Sequence, residues 1–481
     1  MTDRPNSREL ILDILMEILE RNSYSHAVLH QALGKYQYLE KPERALITRT
    51  VEGTLEYRIS IDAVLNWYSK TPVKKMKPLI RTLLRMSVYQ ILYLDRIPDS
   101  AVCNEAVKLA VKRKFGGLKG FVNGVLRTVS REKETIIREW LSPGAIQDLT
   151  LPESAADALP EDAADIRLSA PTRASVALSL PEWLLSLWTD ELGWEQTKRM
   201  GMAFLKEAPT SVRCNLHLAS VEEITDSLCK QGVFWKHSPY SPKVLLLSGY
   251  DYLEKLTAFS RGWIQVQDVS SVLAGEAARP KKGDYVIDVC AAPGGKSLHM
   301  ADMLCGTGFV EARDVSVQKV ELIEENICRT GFANIGARVQ DALVFDADSV
   351  EKADVLVADL PCSGLGIIGK KPDIKYNMSP EAMDELVKLQ REILSVVWQY
   401  VKPGGILVYS TCTIHRAENQ GNMEWMTSRL PFERVDIAER FPEEVREASM
   451  REGWMQFLPG KHACDGFFVG VLRRESVGRT G

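Results

Sequence analysis

From residue 266 to the C-terminus, short apolar runs alternate with amphipathic stretches of helical period, and this constrains the fold more than any other feature. The apolar runs are 284–290, 308–314, 336–341, 353–360 and 405–411, and the helical stretches cover 296–304, 316–331 and 380–401. Parallel strands need a long crossover, usually a helix. A βαβα order therefore predicts an α/β fold, Rossmann-like, with a mostly parallel sheet and helices on both faces. One more strand is expected within 465–474.

The chain has 481 residues, too many for one compact core, so several domains are expected. Residues 1–140 read as an all-helical domain. Leu10, Ile14, Leu15, Ile18 and Leu19 form one stripe after a candidate N-cap, Ser7. Further helices are expected over 42–55, 61–68, 77–93, 100–115 and 119–129, with breakers at Pro42, Pro72, Pro98 and Gly116-Gly117. Residues 141–170 hold three prolines and six acids against one arginine and read as an acidic linker. A small α+β module is expected over 171–265, with a strand at 211–216, and the Rossmann-like domain over 266–475.

Charge divides the chain. Residues 1–140 carry 24 Lys and Arg against 16 Asp and Glu, whereas the remainder is acidic, 36 against 48. A basic module on an acidic one points to a polyanionic partner. The basic cluster Lys108, Lys112, Arg113, Lys114 and Lys119 flanks the Gly-Gly turn and is the candidate phosphate contact. No apolar run is long enough to span a bilayer. Nine scattered cysteines, an odd number, argue for free thiols in a reducing compartment, so a cytoplasmic protein without a membrane anchor is expected. No Cys/His spacing suggests a metal site.

In a doubly wound sheet, ligands sit beyond the C-terminal ends of the strands. The first of these ends carries Cys290, Ala291, Ala292, Pro293, Gly294, Gly295 and Lys296, a loop of small residues ahead of a helix. The next three strand ends carry Asp314, Asp341 and Asp359. Asp314 is placed to bind ribose hydroxyls and Asp341 an adenine amine. The loop lacks GxGxxG and lacks a P-loop. An S-adenosylmethionine pocket fits best, since it offers ribose, adenine and a methyl donor with no phosphate to cradle. Two thiols follow later strands: Cys362 in DLPCSG and Cys412 in YSTCT.

Taken together, QDVSS (267–271), DVCAAPGGK (288–296), DLPCSGLGIIGKKPDIKY (359–376), YSTCTIHRAENQ (409–420) and LPGKHACDGFF (458–468) resemble the Sun-type RNA cytosine-5 methyltransferases over about residues 200–474. The N-terminal part resembles a NusB-like RNA-binding domain. The resemblance implies methylation of a cytidine of 16S ribosomal RNA, free or partly assembled; nothing in the chain demands a dimer, so a monomer is expected. Carbon 5 of cytosine is a poor nucleophile, and adding a thiolate to carbon 6 makes it enamine-like. Spacing does not say which thiol attacks. The RNA family implies that Cys412 attacks and Cys362 helps release the product. It also implies that Asp359 steadies the cytosine edge with Lys296 nearby, and that the 290–296 loop, Asp314, Asp341 and Asp359 line the cofactor. Where the family usually has an arginine five residues after the ribose acid, this chain has Lys319.

RNA contacts are expected from Lys370, Lys371, Lys375 and Tyr376, where cations and an aromatic ring could hold phosphate and base, with Arg213 extending the track. Cys290, Cys305, Cys328 and Cys464 are expected to have no catalytic role, with Cys305 and Cys328 in the core. A tRNA methyltransferase and an RNA-binding assembly factor with dispensable methylation remain as alternative readings.

Overall fold

A computed structural model describes residues 6–21, 23, 25–36, 39–142 and 170–476. Most of the expected acidic linker, 143–169, lies outside the described residues. The chain divides into two compact units. One comprises residues up to Lys206 together with Ile368–Asn377, and the other comprises Glu207–Ile367 with the chain from Met378 on. Among the described residues, no helix is long and apolar enough to cross a membrane.

The first unit is helical, with seven of its helices at Ser7–Arg21, Ser25–Lys35, Lys41–Glu56, Arg58–Tyr68, Pro78–Tyr93, Asp99–Lys112 and Lys119–Arg131. The first helix buries Leu10, Ile14, Leu15 and Ile18 of the expected stripe, and Ile11 and Leu12 as well, while Leu19 is only partly buried. Its cap is Asn6 rather than Ser7: the Asn6 side-chain oxygen accepts from the Arg8 amide at 2.9 Å. Pro78–Tyr93 is the central helix, buried on nearly every face, and starts on a proline whose missing N–H costs nothing at that position. It crosses Lys41–Glu56 closely: a Cβ on Gly53 would fall 2.0 Å from the Tyr89 ring. Three more helices, Ala170–Leu178, Glu182–Leu192 and Trp194–Phe204, belong to this unit.

The second unit begins with an antiparallel sheet of β1 (Thr210–Cys214), β2 (Phe234–Ser238), β3 (Ser241–Ser248) and β4 (Ile264–Val266), in the order β2-β3-β1-β4. The helix Val221–Lys230 starts on a reciprocal cap between Ser220 and Glu223. It packs Ile224 and Leu228 with Val212, Leu245 and Leu247.

The large sheet holds β5 (Tyr285–Asp288), β6 (Phe309–Asp314), β7 (Ile335–Val339), β8 (Ala353–Asp359), β9 (Val401–Thr411), β10 (Phe432–Arg434), β11 (Trp454–Phe457) and β12 (Phe467–Arg474). Its order is β10-β12-β9-β8-β5-β6-β7, with β11 also paired to β12. The pairs from β9 to β7 are parallel and those with β12 are antiparallel. Both faces are covered. Val286, Val310, Val355 and Val408 join one apolar cluster, while Ile287, Leu356 and Leu407 join another. Each such fully buried side chain contributes about 1.5–3 kcal/mol. From β5 the chain runs outward through β6 to β7, then returns to place β8 and β9 on the other side. The switch point therefore lies between β5 and β8, and the crevice it opens receives the residues after Asp288 and Asp359.

Candidate active site

The loop after β5 is built by backbone more than by side chains. Gly294 sits at φ 100° and leads into the helix Gly295–Met303, a conformation that an L side chain would strain. The Ala291 amide donates to the Arg313 carbonyl at 2.8 Å, and the Gly294 amide donates to the Ala291 carbonyl. Asp288 at the end of β5 is buried. One of its oxygens accepts from the Ser297 hydroxyl at 2.6 Å, and the Cys290 backbone also favours its charged form. Burial pushes this carboxyl up to about 7, against the opposing Ser297 hydrogen bond.

Asp314 ends β6 and faces the same loop. Its Oδ2 accepts from the Ala292 amide at 3.0 Å. Its Oδ1 accepts from the Val315 amide at 2.8 Å and meets the Lys319 ammonium at 3.0 Å. A carboxylate has about four acceptor positions, so one remains for a hydroxyl. Lys319 keeps the charge of the arginine it replaces, but as a mobile point charge on a half-exposed stem. Asp341, beyond β7, accepts from the Leu343 amide at 2.9 Å and stays partly exposed. The glycine cradle and the unfilled acceptor on Asp314 fit an adenosyl group carrying hydroxyl donors.

At the other side of the switch point, Asp359 accepts from the Lys296 ammonium and from the Ser410 hydroxyl, both at 2.7 Å. The Lys296 ammonium also lies 4.9 Å from the centre of the Phe467 ring. β8 and β9 pair Asp359 with Ser410, so the thiols that follow each residue emerge side by side. The sulfurs of Cys362 and Cys412 are 3.4 Å apart. The hydrogen bond with Cys412, then burial, then the charges of Cys412 and Glu418 push the Cys362 thiol well above its usual range. The turn after Cys362 is pinned by backbone: the Gly366 amide donates to the Cys412 carbonyl at 3.0 Å, and the Gly466 amide to the Gly366 carbonyl at 2.9 Å. A Cβ on Gly366 would fall 1.9 Å from the Gly466 oxygen, so only glycine fits.

Beneath the thiols lies a polar network that sequence reasoning missed. Glu418, fully buried, accepts from the Ser363 amide at 3.0 Å, the Ser363 hydroxyl at 2.5 Å and the Gln390 amide group at 2.9 Å. Asn419, also fully buried, meets Thr411 at 2.6 Å and Gln456 at 2.7 Å. Glu418 lies inside the quoted YSTCTIHRAENQ motif, which was the available signal, but only its burial reveals what it holds.

Several expected RNA contacts are packed instead. Arg213 is buried, with its guanidinium on Gln267 at 3.0 Å and Asp302 at 3.2 Å. Lys375 is buried in the helical unit and donates to the carbonyls of Glu56 at 2.7 Å and Ser179 at 2.6 Å. Burial lowers its ammonium to about 7. Tyr376 donates to the Leu55 carbonyl at 2.6 Å, with the Arg58 guanidinium 3.5 Å from its ring centre. Lys370 and Lys371 are exposed. In the N-terminal basic cluster, Lys108 pairs with Glu105, Lys112 with Glu9 and Arg113 with Asp13, while Lys114 and Lys119 are exposed. Cys305 and Cys328 are exposed rather than in the core: Cys305 lies in the turn after the helix Gly295–Met303, and Cys328 is on the outer side of the last turn of the helix Val317–Thr330.

Known proteins resemble this chain along its length. A family model described as 16S rRNA methyltransferase RsmB/F matches residues 276–473, a NusB family model matches 5–131, and a ferredoxin-like domain model of RsmF/B-like methyltransferases matches 180–251. A probable ribosomal RNA small subunit methyltransferase B from Bacillus subtilis is 34% identical over 97% of this chain and 98% of its own length. One from Synechocystis is 29% identical over 98% of this chain and 99% of its own. The crystal structure of a methyltransferase homologue from Pyrococcus horikoshii is 26% identical, covers 63% of this chain and 97% of that one, and superposes with a TM-score of 0.54.

Proposed function

This chain belongs to the ribosomal RNA small subunit methyltransferase B family, and we propose that its two facing thiols divide the covalent work of methylation. The protein is an S-adenosylmethionine-dependent methyltransferase acting on carbon 5 of a cytidine in 16S ribosomal RNA. Bound S-adenosylmethionine supplies the electrophilic methyl group that carbon 5 takes up. Cys412 adds as a thiolate to carbon 6, forming the S–C6 bond and pushing electron density toward carbon 5. Asp359, held by Lys296 and Ser410, keeps free acceptor positions for the cytosine edge and steadies a protonated N3.

The single observation that carries this reading is the thiol pair itself: two sulfurs 3.4 Å apart beyond paired strand ends, with the hydrogen bond to Cys412 and burial raising the Cys362 thiol. Once Cys412 is bonded to carbon 6, its sulfur carries no negative charge. The largest influences holding the proton on Cys362 then disappear, and Cys362 can give that proton to solvent. As a thiolate it takes the proton from carbon 5, the S–C6 bond breaks, and Cys412 leaves as a thiolate.

The substrate is read as free or partly assembled 16S RNA, because ring-face attack needs an unstacked base. The NusB-like domain adds affinity through a surface beyond its basic cluster, in which Lys108, Lys112 and Arg113 are already paired with acids. Trp67 is 49% exposed, and nearby in sequence Lys70, Lys74, Lys75 and Lys77 are exposed with no ion pair among the described residues. A half-exposed ring, packed edge-on against Trp140, with unpaired ammonium groups near it in sequence suits a single strand. Reversing Lys74, Lys75 and Lys77 to glutamate should weaken RNA binding and flatten its salt dependence, by about 0.7 in log–log slope for every phosphate no longer neutralised. An unchanged slope would remove this surface from the account. Bisulfite mapping of cellular RNA with and without the gene tests the reaction itself. One 5-methylcytidine should vanish from 16S RNA, while a loss from transfer RNA alone would contradict the assignment.

A further inference from the structure

Glu418 has no place in the reaction as described, yet it is an unusually costly residue to keep. Burying a carboxylate is unfavourable unless its oxygens are fully hydrogen-bonded. Here both are used. Oε2 accepts from the Ser363 amide and from Gln390, and Oε1 accepts from the Ser363 hydroxyl and faces His415 Nδ1 at 3.3 Å. Among the described residues no lysine or arginine forms an ion pair with it, so its negative charge is met by neutral donors and one imidazole.

The donors are the informative part. Gln390 also holds the Pro361 carbonyl at 2.9 Å, so the carboxylate grips the chain on both sides of Cys362. The Ser363 hydroxyl lies 2.6 Å from the Thr413 hydroxyl, on the residue that follows Cys412. The Glu418 carbonyl is fixed in turn by the hydroxyl of Tyr409, on β9, at 2.5 Å and by Asn422 at 3.0 Å. One buried anion thus ties the flanks of both thiols to the strand that carries Cys412. A purely packing role would be served by an apolar side chain of similar volume, at no charge-burial cost.

We propose that Glu418 is a positioning residue that sets the approach of the two thiols and, through its charge, keeps the shared proton on Cys362 so that Cys412 is the one ready to attack. The charge half rests on the thiol roles proposed above, whereas the geometric half does not. The same charge is among the influences that hold Cys362 protonated.

The test reads the charge directly. In a Cys412→Ser background, alkylation of the Cys362 peptide by iodoacetamide is followed against pH by mass spectrometry, with Glu418 and with Glu418→Gln. The other titratable groups around the pair, Asp359, Lys296, Tyr409 and His415, are common to both proteins. The midpoint should fall by about one pH unit in Glu418→Gln, a tenfold gain in thiolate at a given pH. In the otherwise wild-type enzyme, Glu418→Gln should lower single-turnover methylation about tenfold with the KM for S-adenosylmethionine unchanged. Glu418→Asp retains the charge but retracts it, so it should slow turnover while leaving the midpoint nearer wild type. It also serves where the Gln variant fails to fold. An unmoved midpoint in the Gln variant would overturn the charge role, and wild-type turnover in either variant would overturn the positioning role. The midpoint does not depend on which thiol attacks, so reversed thiol roles and an idle Glu418 give different results.

Discussion

The segment DLPCSGLGIIGKKPDIKY is one continuous stretch of chain, but its halves belong to different units. Residues up to Ile367 stay with the catalytic sheet, and Ile368–Asn377 fold with the helices. The first half keeps its reactive groups partly open: Asp359 retains acceptor positions and Cys362 faces another sulfur. The second half spends its polar groups on backbone, with Lys375 and Tyr376 donating to carbonyls of Leu55, Glu56 and Ser179. A basic residue beside a catalytic motif is therefore not evidence of substrate contact until its burial is known.

Asp359→Ala should break the catalytic half most severely, lowering the methylation rate about 100- to 1,000-fold, the scale of removing a preorganised polar group from a developing charge. The protein should stay folded, as circular dichroism would confirm, since the Asp359 carboxylate is held by polar partners rather than by the apolar core.

The two units also imply opposite responses to pH. Lys375 titrates near 7 when folded and near 10.5 when unfolded, so the unfolded chain binds more protons between those values. The helical unit should gain stability as pH rises from about 7 to 10, by at most about 1.4 kcal/mol per pH unit. Lys375→Met should flatten that slope. Asp288, at the core of the catalytic sheet, has its folded value raised to about 7 from 3.8. The folded chain then binds more protons, so its contribution is full below 3.8 and is lost as pH rises through 7. Asp288→Asn should flatten that opposite slope. Hydrogen exchange resolved by peptide can follow the two units separately, and slopes of the same sign in both would end the comparison. The smallest effect belongs to Lys319→Arg, which restores a fork to the same charge and should change S-adenosylmethionine affinity by no more than about twofold in a calorimetric titration.

What the sequence disclosed follows from periodicity. The five parallel strands and β12 show as apolar runs; Asp314 and Asp359 end β6 and β8, and Asp341 lies just beyond β7. The helix Ser25–Lys35 stayed hidden because SHAVLHQALGK carries only a weak apolar stripe. β2 escaped because its residues are mostly exposed, with Phe234 at 72%. β10 and β11, three and four residues long, are too short for a period to register. At the site, the thiols and the cofactor loop were legible from motif chemistry. Glu418, Arg213 and Lys375 were not, because in each case a charge normally read as surface is held inside by partners distant in sequence.

The central claim is the division of labour between the thiols. Each cysteine is changed to alanine, the protein is incubated with S-adenosylmethionine and 16S RNA, and covalent complexes are resolved under denaturing conditions. Cys412→Ala should yield neither methylated RNA nor adduct, and Cys362→Ala should accumulate a covalent RNA–protein adduct. Adduct in the Cys412→Ala protein and none in Cys362→Ala would contradict the account.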